Sequence, residues 1–250
     1  MSILTLENIK ETNNIPLNSI VNADCLEAMK FIPDNSIDLI LTDPPYGLTT
    51  NKKDIKVNLD ELFRVGKAII LFSQNPYTSE LITKYKKFYR YDLIWNKELK
   101  TGFLNAKRMP LRQHEIILIF KKPKYNPQFS VGDPLHSKGD SYKNKEIKNR
   151  NYGKFEITED KRAGETKKYP SSVLNFKKPH PSVSVHPTQK PIEIGQYLIK
   201  TYSNKNDVIL DCFSGSGSFC VAAKLEKRNY IGIEKDLEYC KISEERLKNI

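Results

Sequence analysis

Apolar runs rich in β-branched residues recur along the chain at residues 37–41, 68–72, 92–95, 116–120, 208–210 and 230–233. Each is short and almost continuous in apolar character, the pattern of a strand buried on both faces, so together they predict a largely parallel sheet. Between them, residues 25–31, 58–65, 78–85, 191–201, 218–225 and 236–247 carry apolar side chains at helical spacing. Strands that alternate with helices predict an α/β, doubly wound fold.

The rhythm breaks over residues 121–178, which are rich in Lys, Asn, Pro, Gly, Ser and Tyr and too long for an ordinary connection. Residues 121–180 hold 15 basic and 7 acidic side chains, which accounts for eight of the chain's eleven net positive charges. Tyr125, Phe129, Tyr142, Tyr152, Phe155 and Tyr169 are interleaved with them. Basic and aromatic side chains in alternation suit a surface that meets nucleic acid, although the same composition also describes a solvated loop. We expect one domain over residues 1–250 with a functional insertion at 121–180, since 250 residues leave no room for a separate nuclease or regulatory domain.

The net charge of +11 makes a polyanionic partner plausible. Cys25, Cys212, Cys220 and Cys240 form no CxxC pair, so neither a zinc site nor a disulfide framework is expected, and the thiols read as reduced. No signal layout and no apolar run of about 18 residues occurs, so a soluble, cytoplasmic protein that touches no membrane is expected.

The chemistry concentrates at Asp43-Pro44-Pro45-Tyr46, directly after the run at 37–41. In a doubly wound sheet the ligand crevice lies at the carboxyl ends of the strands. An aromatic amine can attack an electrophilic methyl group only when its lone pair is drawn out of the ring plane, and two acceptors on its N–H bonds do this. The Asp43 carboxylate supplies one acceptor and the Pro44 carbonyl the other, with the Pro-Pro step stiffening the backbone. Tyr46 offers a face on which a flipped base can stack, so its ring rather than its hydroxyl is expected to matter. Taken alone, the tetrapeptide also suits an ordinary turn after a strand.

A second element joins the run at 208–210 to Asp211, Cys212, Phe213, Ser214, Gly215, Ser216, Gly217 and Ser218: a strand, a turn of small residues and a helix start. The third glycine of the dinucleotide fingerprint is missing, so no pyrophosphate is demanded. The run at 230–233 then ends in Glu234, an acid placed to accept the ribose hydroxyls of a nucleoside-like cofactor.

These residues, in this order, resemble the DNA N6-adenine and N4-cytosine methyltransferases, particularly the permuted group whose catalytic motif precedes the cofactor loop. Asp43 to Tyr46 match the catalytic motif, and Asn22-Ala23-Asp24-Cys25-Leu26 look like the segment that contacts the cofactor adenine. His186-Pro187-Thr188-Gln189-Lys190-Pro191 is similar to the motif that helps hold the methionine moiety. Asp211 to Gly217 match the cofactor loop and Glu234 its ribose acid, with Lys235 beside it. Tyr169 to Leu174 and Asn105 to Arg112 also look like family segments. The likeness runs from about residue 19 to the C-terminus, and departs from the usual pattern at Cys212 and Ser218.

The resemblance implies a seven-stranded, Rossmann-like methyltransferase sheet, with residues 207–211 beside the strand that ends at Asp43 and a target-recognition region in the insertion. It implies S-adenosyl-L-methionine as cofactor, bound by Asp24, Cys25, Asp43, His186, Thr188, Lys190, Asp211, Phe213, Ser214, Gly215, Ser216, Gly217, Glu234 and Lys235. Double-stranded DNA is the expected substrate, contacted by Lys107, Arg108, Arg112, Lys143, Lys145, Lys148 and Arg150. In the family, Asp at the first motif position accompanies adenine, so site-specific methylation of adenine N6 after base flipping is expected, with cytosine N4 as the alternative. A second copy of the chain and a cognate restriction endonuclease stand as candidate partners.

Rival chemistries fit less well. Cytosine C5 methylation needs a nucleophilic cysteine, usually after proline, and none of the four follows one. A zinc deaminase needs a cysteine pair to accompany His114-Glu115, and it is missing. Protein and RNA amine methyltransferases use similar loops, but Asp43 and the basic insertion favour a nucleic-acid base. A DNA-binding protein with a dead methyltransferase core would not be expected to keep Asp43, Tyr46, Gly215 and Glu234.

Overall fold

In chain order the elements are β1 (Leu4–Thr5), α1 (Leu6–Thr12), β2 (Ser19–Asn22), α2 (Cys25–Met29), β3 (Leu39–Thr42), α3 (Asp60–Val65), β4 (Ala68–Ser73), α4 (Tyr77–Lys84), β5 (Tyr89–Thr101), β6 (Arg112–Lys121), β7 (Ser130–Val131), β8 (Lys167–Lys168), β9 (Val173–Asn175), α5 (Ile192–Tyr202), β10 (Val208–Asp211), α6 (Ser218–Leu225), β11 (Asn229–Glu234) and α7 (Leu237–Lys248). This computed structural model describes residues 3–48, 54–134, 164–178 and 189–250. They fall into two compact units, Met1–Asn126 with Ser171–Ile250, and Pro127–Pro170.

The larger unit is built on one sheet in the order β1-β2-β11-β10-β3-β4-β6-β5-β9. The five strands from β2 to β4 run parallel, and successive residues along them point to opposite faces. Leu39, Leu41, Ile70 and Phe72 therefore share a core with Leu198 of α5 and Val221 of α6. Ile40, Ile69 and Leu71 pack instead with Met29 of α2 and Leu62 of α3. Burial on both faces explains why these strands read as unbroken apolar runs.

The sheet is α/β, doubly wound and mainly parallel, as expected, and β10 lies beside β3 with Ile209 opposite Leu39 and Leu210 opposite Ile40. Two expectations are corrected. Among the described residues nine strands join this sheet rather than seven, because β1 and β9, of two and three residues, are too short to show a periodicity and lengthen the sheet at its edges. The run at 116–120 is not a parallel member: β6 runs antiparallel to both β4 and β5, so β5, which holds the run at 92–95, points the same way as β4 and pairs parallel with β9. Only residues 102–111 join β5 to β6, shorter than the crossover of a dozen or more residues that parallel pairing needs.

Local chemistry starts the helices around the crevice. Asp24 caps α2 by accepting from the Leu26 amide at 2.9 Å, and Asp236 caps α7 by accepting from Glu238 at 3.0 Å. Gly217 opens α6 in the left-handed region (φ +77°), where an added Cβ would lie 2.9 Å from the Ser243 Cβ.

In the smaller unit β7 and β8 pair antiparallel. The Phe129 and Tyr169 rings meet edge-on at 4.8 Å, and the Lys167 ammonium sits 3.8 Å above the Phe129 ring. Among the described residues, no helix is long and apolar enough to cross a membrane.

Candidate active site

The strand order reverses between β10 and β3: the chain winds one way through β3 and β4 and the other way through β10, β11 and β2. Such a reversal leaves a crevice at the carboxyl ends of the two strands. The Thr42 hydroxyl at the end of β3 donates to Asp211 Oδ1 at the end of β10, 2.6 Å away, and ties the crevice floor together. Burial pushes the Asp211 carboxyl up to about 7, against the Thr42 hydroxyl and the Phe213 amide, which pull it down.

Asp43 follows Thr42 at the mouth of this crevice. Its two oxygens have different partners: the Tyr46 hydroxyl donates to Oδ1 at 2.5 Å, and the Lys190 ammonium pairs with Oδ2. Lys190 is buried and lies 3.3 Å from Glu115 Oε2, while Lys97 lies 3.3 Å from Glu115 Oε1. Two carboxylates and two ammonium groups thus alternate through the site, and the half-buried Lys178 ammonium lies close enough to feel all four. Burial pushes the Glu115 carboxyl up, but Lys190 and Lys97 outweigh it and hold the group below its ordinary range. Burial likewise opposes the charge on Lys190, and Asp43 with Glu115 overcomes it, so its ammonium titrates above its usual value. The Phe72 and Trp95 rings stand 5.1 and 5.9 Å from the Lys190 nitrogen and shield it from water.

Tyr46 is engaged through its hydroxyl as well as its ring. Its ring packs against Tyr77 at 5.7 Å, and its hydroxyl is committed to the Asp43 carboxylate. Burial and then the Asp43 charge push the phenol well above its ordinary pKa, so it is a permanent donor.

Opposite Asp43, residues 211–217 form a tight loop pinned by backbone bonds. The Ser214 amide donates to the Ile233 carbonyl at 3.0 Å, the Gly217 amide to the Ser214 carbonyl at 2.7 Å, and the Gly215 amide to Glu234 Oε2 at 2.9 Å. Glu234 Oε1 accepts from the Asp236 amide at 2.8 Å, which leaves lone pairs on both oxygens for a ligand. Asn22 donates its side-chain amide to the Glu234 and Lys235 carbonyls, and Lys235 pairs with Asp24 at 3.7 Å, so the 22–25 segment and the acid meet at one edge. The buried Ser214 hydroxyl has no hydrogen-bond partner among the described residues. A loop of small residues, an orphan hydroxyl and a half-buried carboxylate together fit a nucleoside-like ligand.

The structure therefore gathers Asp24, Cys25, Asp43, Lys190, the 211–217 loop, Glu234 and Lys235 around one sheet edge. Within that group the Lys190 nitrogen is engaged by the Asp43 and Glu115 carboxylates. Lys107 and Arg108 are exposed in the β5–β6 connection, and Arg112, at the start of β6, hydrogen-bonds Gln74. His186, Thr188, Lys143, Lys145, Lys148 and Arg150 lie outside the described residues.

Sequence reasoning missed Glu115 and Lys97. Glu115 was weighed only as a metal ligand beside His114. The signal was an acid immediately before the apolar run at 116–120 and a lysine two residues after Trp95, both charged side chains within strand patterns that otherwise read as core.

Residues 37–245 match a family model described as DNA methylase, of the N6/N4 group. Type II methyltransferase M.HinfI of Haemophilus influenzae is 30% identical over 97% of this chain and 71% of its own length. DNA adenine methyltransferase YhdJ of Escherichia coli (strain K12) is 27% identical over 92% and 82%. Among solved structures, the M1.HpyAVI–SAM complex superposes with a TM-score of 0.59 at 23% identity, covering 91% of this chain and 98% of that one. The cytosine-N4-specific PvuII DNA methyltransferase gives 0.64 at 15% identity, covering 93% and 87%.

Proposed function

The chain belongs to the N6/N4 DNA methylase family, and from that premise we propose that it methylates the exocyclic N6 amine of adenine within a short duplex sequence, with S-adenosylmethionine as methyl donor. The observation that carries the reading is Asp43, set at the strand-order reversal with its carboxylate held by Tyr46 and Lys190, at the same sheet edge as the loop 211–217 and Glu234.

The cofactor supplies an electrophilic methyl on a sulfonium. The small-residue loop, Glu234 and the 22–25 segment are the groups that hold it, with Ser214, Gly215, Ser216 and Gly217 letting backbone approach closely and Glu234 accepting hydroxyl protons. His186, Thr188 and Lys190 complete the proposed set.

Asp43 and the Pro44 carbonyl accept the two N–H bonds of the flipped base and draw its lone pair out of conjugation. As the nitrogen takes the methyl it becomes positive, so a carboxylate stabilises the transition state more than the neutral amine. Lys190 pairs with that carboxylate and orients it. An undiluted ammonium there would oppose the developing charge, and Glu115, sharing Lys190, tempers it. Tyr46 fixes the remaining Asp43 oxygen with its hydroxyl and presents its ring beside Tyr77.

Adenine is favoured over cytosine by the aspartate at the first motif position and by the likeness to YhdJ; the shared fold with the PvuII enzyme keeps cytosine N4 as the alternative. Mass spectrometry of nucleosides from methylated product DNA is the test, with N6-methyladenine expected. N4-methylcytosine alone overturns the choice of base.

A further inference from the structure

The connection between β5 and β6 ends in an exposed apolar tip. Gly102 turns the chain in the left-handed region (φ +90°), and residues 103–105 form one 3₁₀ turn. Amides of Asn105, Ala106, Arg108 and Met109 bond carbonyls within the same turn, so the loop is self-braced. At its apex Phe103 is 81% exposed and Leu104 fully exposed, with Met109 also exposed nearby. Two adjacent large apolar side chains held outward differ from the scattered apolar residues that any surface carries. Lys100, Lys107, Arg108 and Arg112 flank them in the sequence, and no acidic residue occurs between Leu99 and Gln113.

The register says where this tip lies. Thr42 pairs with Leu71, and Ser73, the last residue of β4, pairs with Ile116. Residues 112–115 of β6, with their β5 partners, therefore run past the carboxyl ends of β3 and β4, the edge from which Asp43 emerges. At about 3.4 Å per residue the three steps from Glu115 to Arg112 cover about 10 Å before the turn begins, which exceeds the depth of either groove of a duplex. The same hairpin carries Lys97 and Glu115 at its base, in the Asp43 cluster. One hairpin thus joins the Asp43 cluster to an apolar point flanked by positive charge.

We propose that Phe103 and Leu104 are a wedge that enters the DNA base stack and fills the space left by the target nucleotide when it is drawn into the Asp43 site, with Lys100, Lys107 and Arg108 holding flanking phosphates. This rests on the DNA-methyltransferase reading above. The positive rim selects a polyanion, and an apolar wedge inserted between base steps is a known physical means of opening a duplex.

The test uses the full chain and a duplex oligonucleotide bearing the site that the wild-type protein methylates on unmethylated plasmid DNA. Single-turnover methyl transfer is measured on the matched duplex and on the same duplex with an abasic site opposite the target base. The double variant Phe103→Ala/Leu104→Ala is expected to be slower by about tenfold or more on the matched duplex and to recover to within about threefold of wild type on the abasic one, where less stacking must be broken. Lys107→Ala/Arg108→Ala should weaken binding equally on both, as lost phosphate contacts do. No loss in the apolar double variant, or equal loss on both duplexes, overturns the wedge. So does conversion of a dimer to a monomer in sedimentation, which assigns the tip to contact between copies. Wild-type protein that binds S-adenosylmethionine but methylates no DNA fails the underlying reading instead, and the wedge falls with it.

Discussion

Glu115→Gln isolates what the buried charge cluster contributes. Glu115 is 9% exposed and lies 3.3 Å from both Lys190 and Lys97, which are 8% and 3% exposed. At an effective dielectric constant of about 20, each 3.3 Å pair is worth about 5 kcal/mol of gross attraction, most of which desolvation offsets. Removing one member costs more than the net value of the pair, since it takes the carboxylate from Lys97 and leaves Lys190 with Asp43 alone. Glutamine keeps the volume and one acceptor, so we expect a loss of about 3 kcal/mol, the lower end for a broken buried pair. Urea unfolding at pH 7 measures it. Lys97→Met alone should also destabilise, but the double variant removes one charge of each sign and should be about 2 kcal/mol more stable than the sum of the two losses. Turnover of Glu115→Gln should fall about tenfold at unchanged cofactor affinity, because Lys190 then bears its full charge on Asp43. A stability change within about 0.5 kcal/mol of zero, or a strictly additive cycle, refutes the coupling.

Further outcomes follow from the site. Asp211 holds its proton up to about pH 7 in the folded chain and only to about 4 unfolded, so it makes stability fall as pH rises across that window, by about 4 kcal/mol in all. Asp211→Asn should therefore be more stable than wild type by roughly 2–4 kcal/mol at pH 8, with the gap closing near pH 4; a gap independent of pH refutes it. Asp43→Ala should slow single-turnover methyl transfer by about a hundredfold or more while sparing cofactor affinity, with Asp43→Asn in between, and full activity in the alanine variant would end the mechanism. Tyr46→Phe removes the donor to Asp43 and should cost about 1.5–3 kcal/mol of transition-state stabilisation, whereas a silent substitution would restrict Tyr46 to its ring. Glu234→Ala should weaken S-adenosylmethionine binding by about 1–3 kcal/mol in calorimetry, and unaltered affinity moves the hydroxyl acceptor elsewhere.

The sequence by itself determined the alternation of buried strands and helices, the place of Asp43 after a strand, and the glycine turn before α6. These follow from local causes: apolar runs bury wherever they pair, prolines stiffen their own backbone, and Gly217 supplies its own positive φ. Strand order near the crevice was legible too, because the resemblance placed residues 207–211 beside the strand ending at Asp43, and β10 does lie there. The antiparallel β5–β6 pair was legible in principle from its short connection. What only the tertiary structure decided is the electrostatic state of the site. Glu115 meets Lys97 across neighbouring strands, and Lys190 reaches Asp43 from 147 residues away along the chain. A charge can stay ionised in a dry interior only when its counter-charge arrives from another element, and no local pattern in the sequence encodes that arrival.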